Sequence, residues 1–223
     1  MNSNNKLNII LFFGLPGVGK STLGNLIEEK LKIKYISVGE IYRSIENDIV
    51  RSDEDAIKFL LNSVEANLYI PDDYNQNYVI IDGIKLHNFL QKNFFKSLMN
   101  VYNISDVVFF SFVELNEFLK MDFNDDIYKE HFNLLKDRLT TRNRENENIT
   151  IIERRLTINF FRLKKIIMFI NNITNNFKNK IKNNKLKKEG FTNIDNTSIN
   201  ILTLNSLNSV NTNYELFIKH LNF

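Results

Sequence analysis

The sequence predicts a three-layer α/β fold in which a parallel five-stranded sheet lies between helices. Three observations predict it. Short apolar runs of strand length alternate with stretches of helical periodicity along the chain. The first of those runs leads straight through a glycine-rich turn, "GLPGVGKST", into a helix. At 223 residues the chain is also long enough to bury about 70% of its unfolded surface around one core.

Each element has a local reason. Asn8 to Phe13 is a continuous apolar run rich in β-formers, the pattern of a strand covered on both faces. Ser21 to Leu31 reads as a helix, with Leu23, Leu26, Ile27 and Leu31 on one stripe. "KYIS", Lys34 to Ser37, is a second strand, and "VGEIYRSIENDIV" turns back into helix. Asp55 to Leu68 forms another amphipathic helix, closed by Pro71. "YVIID", Tyr78 to Asp82, is a third buried strand; a helix from about Leu86 to Met99 follows, and "DVVFFSFV" is the fourth strand. Residues 127 to 141 are helical, "RNRENEN" is a polar break, and residues 150 to 177 form a long helix. The lysine- and asparagine-rich stretch 178 to 200 is an excursion, "NILTLNS" a fifth strand and "NYELFIKHL" a closing helix. Right-handed crossovers between such strands align their carboxyl ends along one edge, where ligands bind.

Composition narrows the chemistry. With no cysteine there is no disulfide framework, thiolate zinc site or thiol nucleophile. A net charge of +3 does not by itself indicate a nucleic-acid or membrane partner. The longest apolar runs, "VVFFSFV" and "IIMFI", fall short of the ~20 residues needed to span a bilayer. The amino terminus offers no signal-peptide pattern, so the expectation is a soluble cytoplasmic protein with no membrane partner.

Gly14-Leu15-Pro16-Gly17-Val18-Gly19-Lys20-Ser21 fits the phosphate-loop pattern of strand, glycine loop and helix. Glycines allow positive φ and let backbone N–H groups converge on phosphate oxygens. The helix that begins there adds its positive dipole end. The expected ATP-binding set is Gly14, Pro16, Gly17, Val18, Gly19, Lys20, Ser21 and Thr22, with Lys20 reaching the β and γ phosphates and Ser21 helping to hold Mg²⁺. Only seven glycines occur in the chain, and Gly39 and Gly83 follow strands two and three on the same predicted edge. The arginines are the second signal. Six of the eight fall between residues 138 and 162, against 21 lysines spread along the chain. Arg138 and Arg142 are one helical turn apart and share a face. A guanidinium offers phosphate a planar fork that an ammonium cannot copy.

Beyond the loop, "KYISVGEIYRS", "VIIDG", "RLTTR" and "RENENITIIERRL" resemble, in order and spacing, the adenylate kinase family of nucleoside monophosphate kinases over residues 8 to about 170. The resemblance implies a single phosphate-loop kinase domain over 1–223, with core 8–177 and 201–223, an acceptor-binding insert at about 38–72, a minimal lid at about 142–148 and the excursion at about 178–200. It implies ATP and Mg²⁺ as cofactors and a nucleoside monophosphate, AMP by default, as acceptor. Arg43 matches the arginine that clamps the acceptor phosphate, and Gly39, Gly83 and Lys85 fall beside it in the acceptor site. Asp82 stands where a Walker-B-like aspartate organises Mg²⁺ with Ser21. Arg144 and Arg155, eleven apart, match the family's pair at the lid's end and on the following helix; with Lys20, Arg138 and Arg142 they form the implied catalytic set. Arg154 and Arg162 are expected at the surface.

The chain departs from that family chiefly on the acceptor side. Where the family has Gly-Phe-Pro-Arg after strand three, this chain has "DGIKLHNF", with Lys85 at the proline and Leu86 at the arginine position. Leu90 stands where a glutamine reads the adenine edge, Val38 replaces a small hydroxyl residue, and the lid shrinks to Asn143 between Arg142 and Arg144, with Asn146 and Glu147 at its paired acids. Three other readings stay open on these grounds: an adenylate-kinase-like ATPase acting as an assembly factor, a nucleotide-binding subunit of a larger complex without turnover, and more distantly a deoxynucleoside kinase. The run "KNKIKNNKLKK" leaves nucleic-acid or protein-complex association as a further expectation, set against a solvated charged loop.

Overall fold

The computed structural model describes residues 7–40, 62, 70–83, 102–142, 147–180 (backbone only from 173) and 199–222. Five parallel strands form one sheet: β1 (Asn8–Gly14), β2 (Lys34–Ser37), β3 (Tyr78–Asp82), β4 (Asn103–Ser111) and β5 (Asn200–Asn205), in the order β2-β3-β1-β4-β5. β1 is central because its run Ile9–Phe13 has no polar side to show to water, and all five of those side chains are buried. It pairs with β3 from Asn8↔Tyr78 to Phe12↔Asp82 and with β4 on its other side up to Gly14↔Phe110. The chain runs from β1 to β2 and β3 on one side and then crosses to β4 and β5 on the other, which opens a crevice at the carboxyl end of β1.

The helices among the described residues are α1 (Lys20–Leu31), α2 (Leu115–Lys120), α3 (Asp126–Thr141), α4 (Ile149–Lys180) and α5 (Val210–Leu221). α1 and α5 pack together, and Phe217 of α5 meets Phe12 edge-on at 5.9 Å between ring centroids. α4 packs against α2 and α3 through an aromatic cluster in which Phe160 touches Phe118, Phe123 and Tyr128. No helix among the described residues is long and apolar enough to cross a membrane.

The expected three-layer α/β architecture and its five parallel strands are present, with two differences in detail. β4 starts three residues before the expected Asp106, because Asn103 and Ser105 find partners on β1: the Asn103 amide bonds the Asn8 side chain, and the Ser105 hydroxyl donates to the Ile9 carbonyl at 3.5 Å. It stops at Ser111, whose hydroxyl accepts from Val113 N–H at 3.4 Å and turns the chain. The six-residue α2 was not foreseen; at that length no periodic stripe can develop. α4 runs to Lys180, three residues into the stretch expected as an excursion from 178. The rest of that excursion up to residue 198, the expected helix at 86–99, all but residue 62 of that at 55–68 and nearly all of that beginning at Val38 lie outside the described residues.

Candidate active site

The crevice at the end of β1 is a cavity of about 1160 Å³. Its floor is the glycine loop. Gly17 (φ 86°) and Gly19 (φ 95°) are left-handed, a conformation that turns successive N–H groups inward and that side chains resist. Gly19 caps α1 with backbone alone: among the described residues no side chain caps this helix, and its first turn carries no acid. The start of α1 thus presents positive partial charge to the crevice. Gly14, Pro16, Gly17, Gly19, Lys20, Ser21 and Thr22 all line it. Val18 does not. Its side chain is buried against Gly14 and the end of β4, so only its backbone remains available to a ligand.

Lys20 lies folded over the loop, donating to the carbonyls of Gly14 and Leu15 at 3.1 Å each. Its Nζ stands 4.0 Å from Asp82 Oδ1. Burial pushes the ammonium below its ordinary range, the Asp82 charge opposes that, and the nearby guanidiniums of Arg155 and Arg142 reinforce it. The site holds more positive charge than its own groups neutralise.

Asp82 ends β3 and is 4% exposed. Its Oδ2 accepts a hydrogen bond from the Tyr35 hydroxyl at 2.9 Å, while Oδ1 is buried with no hydrogen-bond partner among the described residues. Buried carboxylate oxygens are rarely left so. An acceptor aimed at Lys20 and lining the same cavity as the Ser21 hydroxyl fits a hydrated divalent cation. No cluster of three metal-ligating side chains occurs among the described residues, so such an ion would rest mainly on phosphate and water.

Above the floor, α3 and α4 bring in the arginines. Arg138, Arg142 and Arg155 all line the cavity. Arg142 N–H donates to the Arg138 carbonyl at 3.2 Å, confirming one turn between them, and Arg138 Nη1 reaches the Ser206 carbonyl after β5 at 3.4 Å. Arg155 forms an ion pair with Glu147. Arg162, expected at the surface, instead lines the cavity with Asn159; residues 155, 159 and 162 share one face of α4, and Arg154 points away to solvent. Beside β2 and β3, Gly39 and Gly83 line the cavity and nearly touch: a Cβ on Gly83 (φ 80°) would stand 2.7 Å from Gly39 N. Arg43, Lys85 and Arg144 lie outside the described residues.

A family model described as an AAA domain matches residues 13–153. The chain belongs to that family. Its AAA-domain segment carries the glycine loop, Asp82, Arg138 and Arg142. Among curated proteins, adenylate kinase from Rickettsia peacockii is 33% identical over 101 residues, 41% of this chain and 47% of the relative. Cytidylate kinase from Clostridium botulinum is 29% identical over 124 residues, 53% of this chain and 54% of the relative. The AAA-domain chain spans about half the length of the curated relatives it matches. Among solved structures it is similar to shikimate kinase from Bacteroides thetaiotaomicron, at 13% identity and a TM-score of 0.44 over 97% of this chain and 99% of that one. The family is adenylate and nucleoside monophosphate kinase-like, as the motif order implied.

Among the residues at the site that the sequence did not single out are Tyr35, Asn159 and Arg162. The signal for Tyr35 was present. Strand alternation puts Tyr35 and Ser37 on the face that α1 covers, and an isolated glycine inside a helix, Gly24, marks a close approach.

Proposed function

We propose that this chain is an ATP-dependent nucleoside monophosphate kinase that transfers the γ-phosphoryl group of ATP to AMP or a related monophosphate. The observation that carries this reading is the convergence of one half-buried lysine, one carboxylate oxygen with no hydrogen bond among the described residues and the guanidiniums of Arg138, Arg142 and Arg155 on a single cavity. Holding one nucleotide takes the loop and a cation. Guanidiniums arriving from two further helices suit a second phosphate group brought in line with the first.

On this reading the loop N–H groups from Gly14 to Thr22 and the start of α1 hold the donor phosphates. Lys20 releases its two carbonyls and follows the charge that develops on the transferring group. Ser21 and, through water, Asp82 would hold Mg²⁺, which when bound would supply positive charge to neutralise the donor phosphates. Arg138 anchors the donor beside Ser206, while Arg142, Arg155 and, from the lid, Arg144 close on the equatorial oxygens. Arg43 and Lys85, with the Gly39–Gly83 contact as a close-fitting floor, take the acceptor phosphate, and the insert at 38–72 frames it.

The test is a coupled assay of ADP formation with ATP and, in turn, AMP, CMP, UMP and GMP. Turnover should appear with at least one acceptor, and Lys20→Ala should remove it. Phosphate release that needs no monophosphate would replace this reading with an ATPase; nucleotide retention without turnover of any acceptor would replace it with a binding subunit.

A further inference from the structure

Tyr35 is a large polar side chain in a place where polar groups are costly. It is 7% exposed, at the second position of β2, opposite Ile80 in the sheet register. Its ring packs against α1 at Gly24. A Cβ there would stand 2.3 Å from ring carbon Cε2, so only glycine admits the ring. Two features of different elements, a glycine inside a helix and a tyrosine on a strand, thus serve one placement, and the placement ends at Asp82 Oδ2, 2.9 Å from the hydroxyl. Burial, and then the Asp82 charge, drive the Tyr35 hydroxyl far above its ordinary range, while Ser21 and Ser37 act on it in the opposite sense. The phenol is the donor of this pair and the carboxylate oxygen its acceptor.

A terminal carboxylate torsion is broad and roughly two-fold. Without a fixed donor on one oxygen, Asp82 could swing both toward Lys20 or toward the backbone of the loop. With Oδ2 tied, the remaining oxygen stays on the side of Lys20, 4.0 Å from its Nζ, in a residue that lines the cleft.

We propose that Tyr35 is the positioning residue for the metal-binding carboxylate: by donating to Oδ2 it holds Asp82 with Oδ1 presented to the magnesium–nucleotide complex. The inference deepens the kinase reading and rests on it for the identity of the ligand. It also accounts for Gly24, which lines no part of the cavity yet admits no side chain.

The experiment measures binding of the non-hydrolysable β,γ-imido analogue of ATP to wild type and Tyr35→Phe, each with Mg²⁺ and with EDTA. Phenylalanine keeps the ring on Gly24 and removes only the donor, and the unfolding midpoint of the free variant checks that the fold is retained. Wild type should bind more tightly with Mg²⁺. In Tyr35→Phe that gain should fall about tenfold, the scale of one hydrogen bond to a charged group, while affinity in EDTA stays within about twofold. A gain that survives in Tyr35→Phe, or an equal loss with and without Mg²⁺, overturns the positioning role and leaves the kinase reading intact. A wild type that gains nothing from Mg²⁺ overturns the magnesium–nucleotide reading first and the inference with it.

Discussion

Asp82 and Asp106 sit on the two strands that flank β1, and they are buried to nearly the same degree, 4% and 3% exposed. Their surroundings differ. Asp106, in the first half of β4, is met by His220 from the last turn of α5, with Nε2 3.0 Å from Oδ1. Asp82, at the carboxyl end of β3, has one oxygen tied by Tyr35 and one with no hydrogen bond among the described residues. Burial alone does not separate a structural carboxylate from a functional one; completeness of hydrogen bonding does. Asp106 pins the last helix to the sheet. Asp82 holds back an acceptor that the fold could have satisfied, and it does so beside the phosphate loop.

The sharpest way to break this comparison is Asp82→Asn. An amide oxygen still accepts from Tyr35, so the unfolding midpoint should hardly move. Removing the charge should nevertheless lower phosphoryl transfer by about a thousandfold, the scale of losing one preorganised electrostatic group. A variant that lost stability in proportion to activity would make Asp82 a second Asp106.

A smaller effect follows from the ammonium beside Asp82. Burial holds Lys20 below its ordinary range in the free protein. Bound phosphates favour the charged form and raise it, so the complex binds more protons than the free protein between the two values. Nucleotide affinity should be full below the free-state value and fall as pH rises through it. Isothermal titration in alkaline buffers of different ionisation enthalpy should show proton uptake on binding, and Lys20→Met should abolish it. Release of protons, or none, would mean that Lys20 is not the group the phosphates meet.

Much of this was legible in the chain. β1, β2, β3 and the loop could be read because their apolar runs and glycines are local signals, and Arg138 and Arg142 because one helical turn relates them. Arg155 was found through the resemblance. Arg162 was misplaced because a lone charge seven residues along a helix looks like any solvated face until the partner surface is known. The motif does not tell that the Val18 side chain, between two loop glycines, packs inward and leaves only its backbone toward the crevice. Tyr35 and Asp82 are 47 residues apart in sequence, and only the parallel pairing of β2 with β3, Ser37↔Asp82, brings the strand of one to the other. The His220–Asp106 pair, 114 residues apart, was likewise invisible before the strand order was known.

That pair supplies the smallest effect and the complementary control. His220→Ala removes the imidazole and leaves the Asp106 carboxylate buried without that donor, with its counterpart only 20% exposed in the intact protein. The expected loss of unfolding free energy is about 1–3 kcal/mol, the usual penalty for stranding a buried hydrogen-bonding group. Asp106→Asn should cost less, since an amide oxygen still accepts from Nε2. Magnesium–nucleotide affinity should be unchanged in both, because β4 and α5 meet here at the end of the sheet away from the loop. Chemical denaturation followed alongside nucleotide binding measures the two quantities on the same samples. If His220→Ala weakened nucleotide binding while stability held, α5 would be coupled to the loop through its packing on α1, and the division between a structural and a functional carboxylate would have to be redrawn along that helix pair rather than across the sheet.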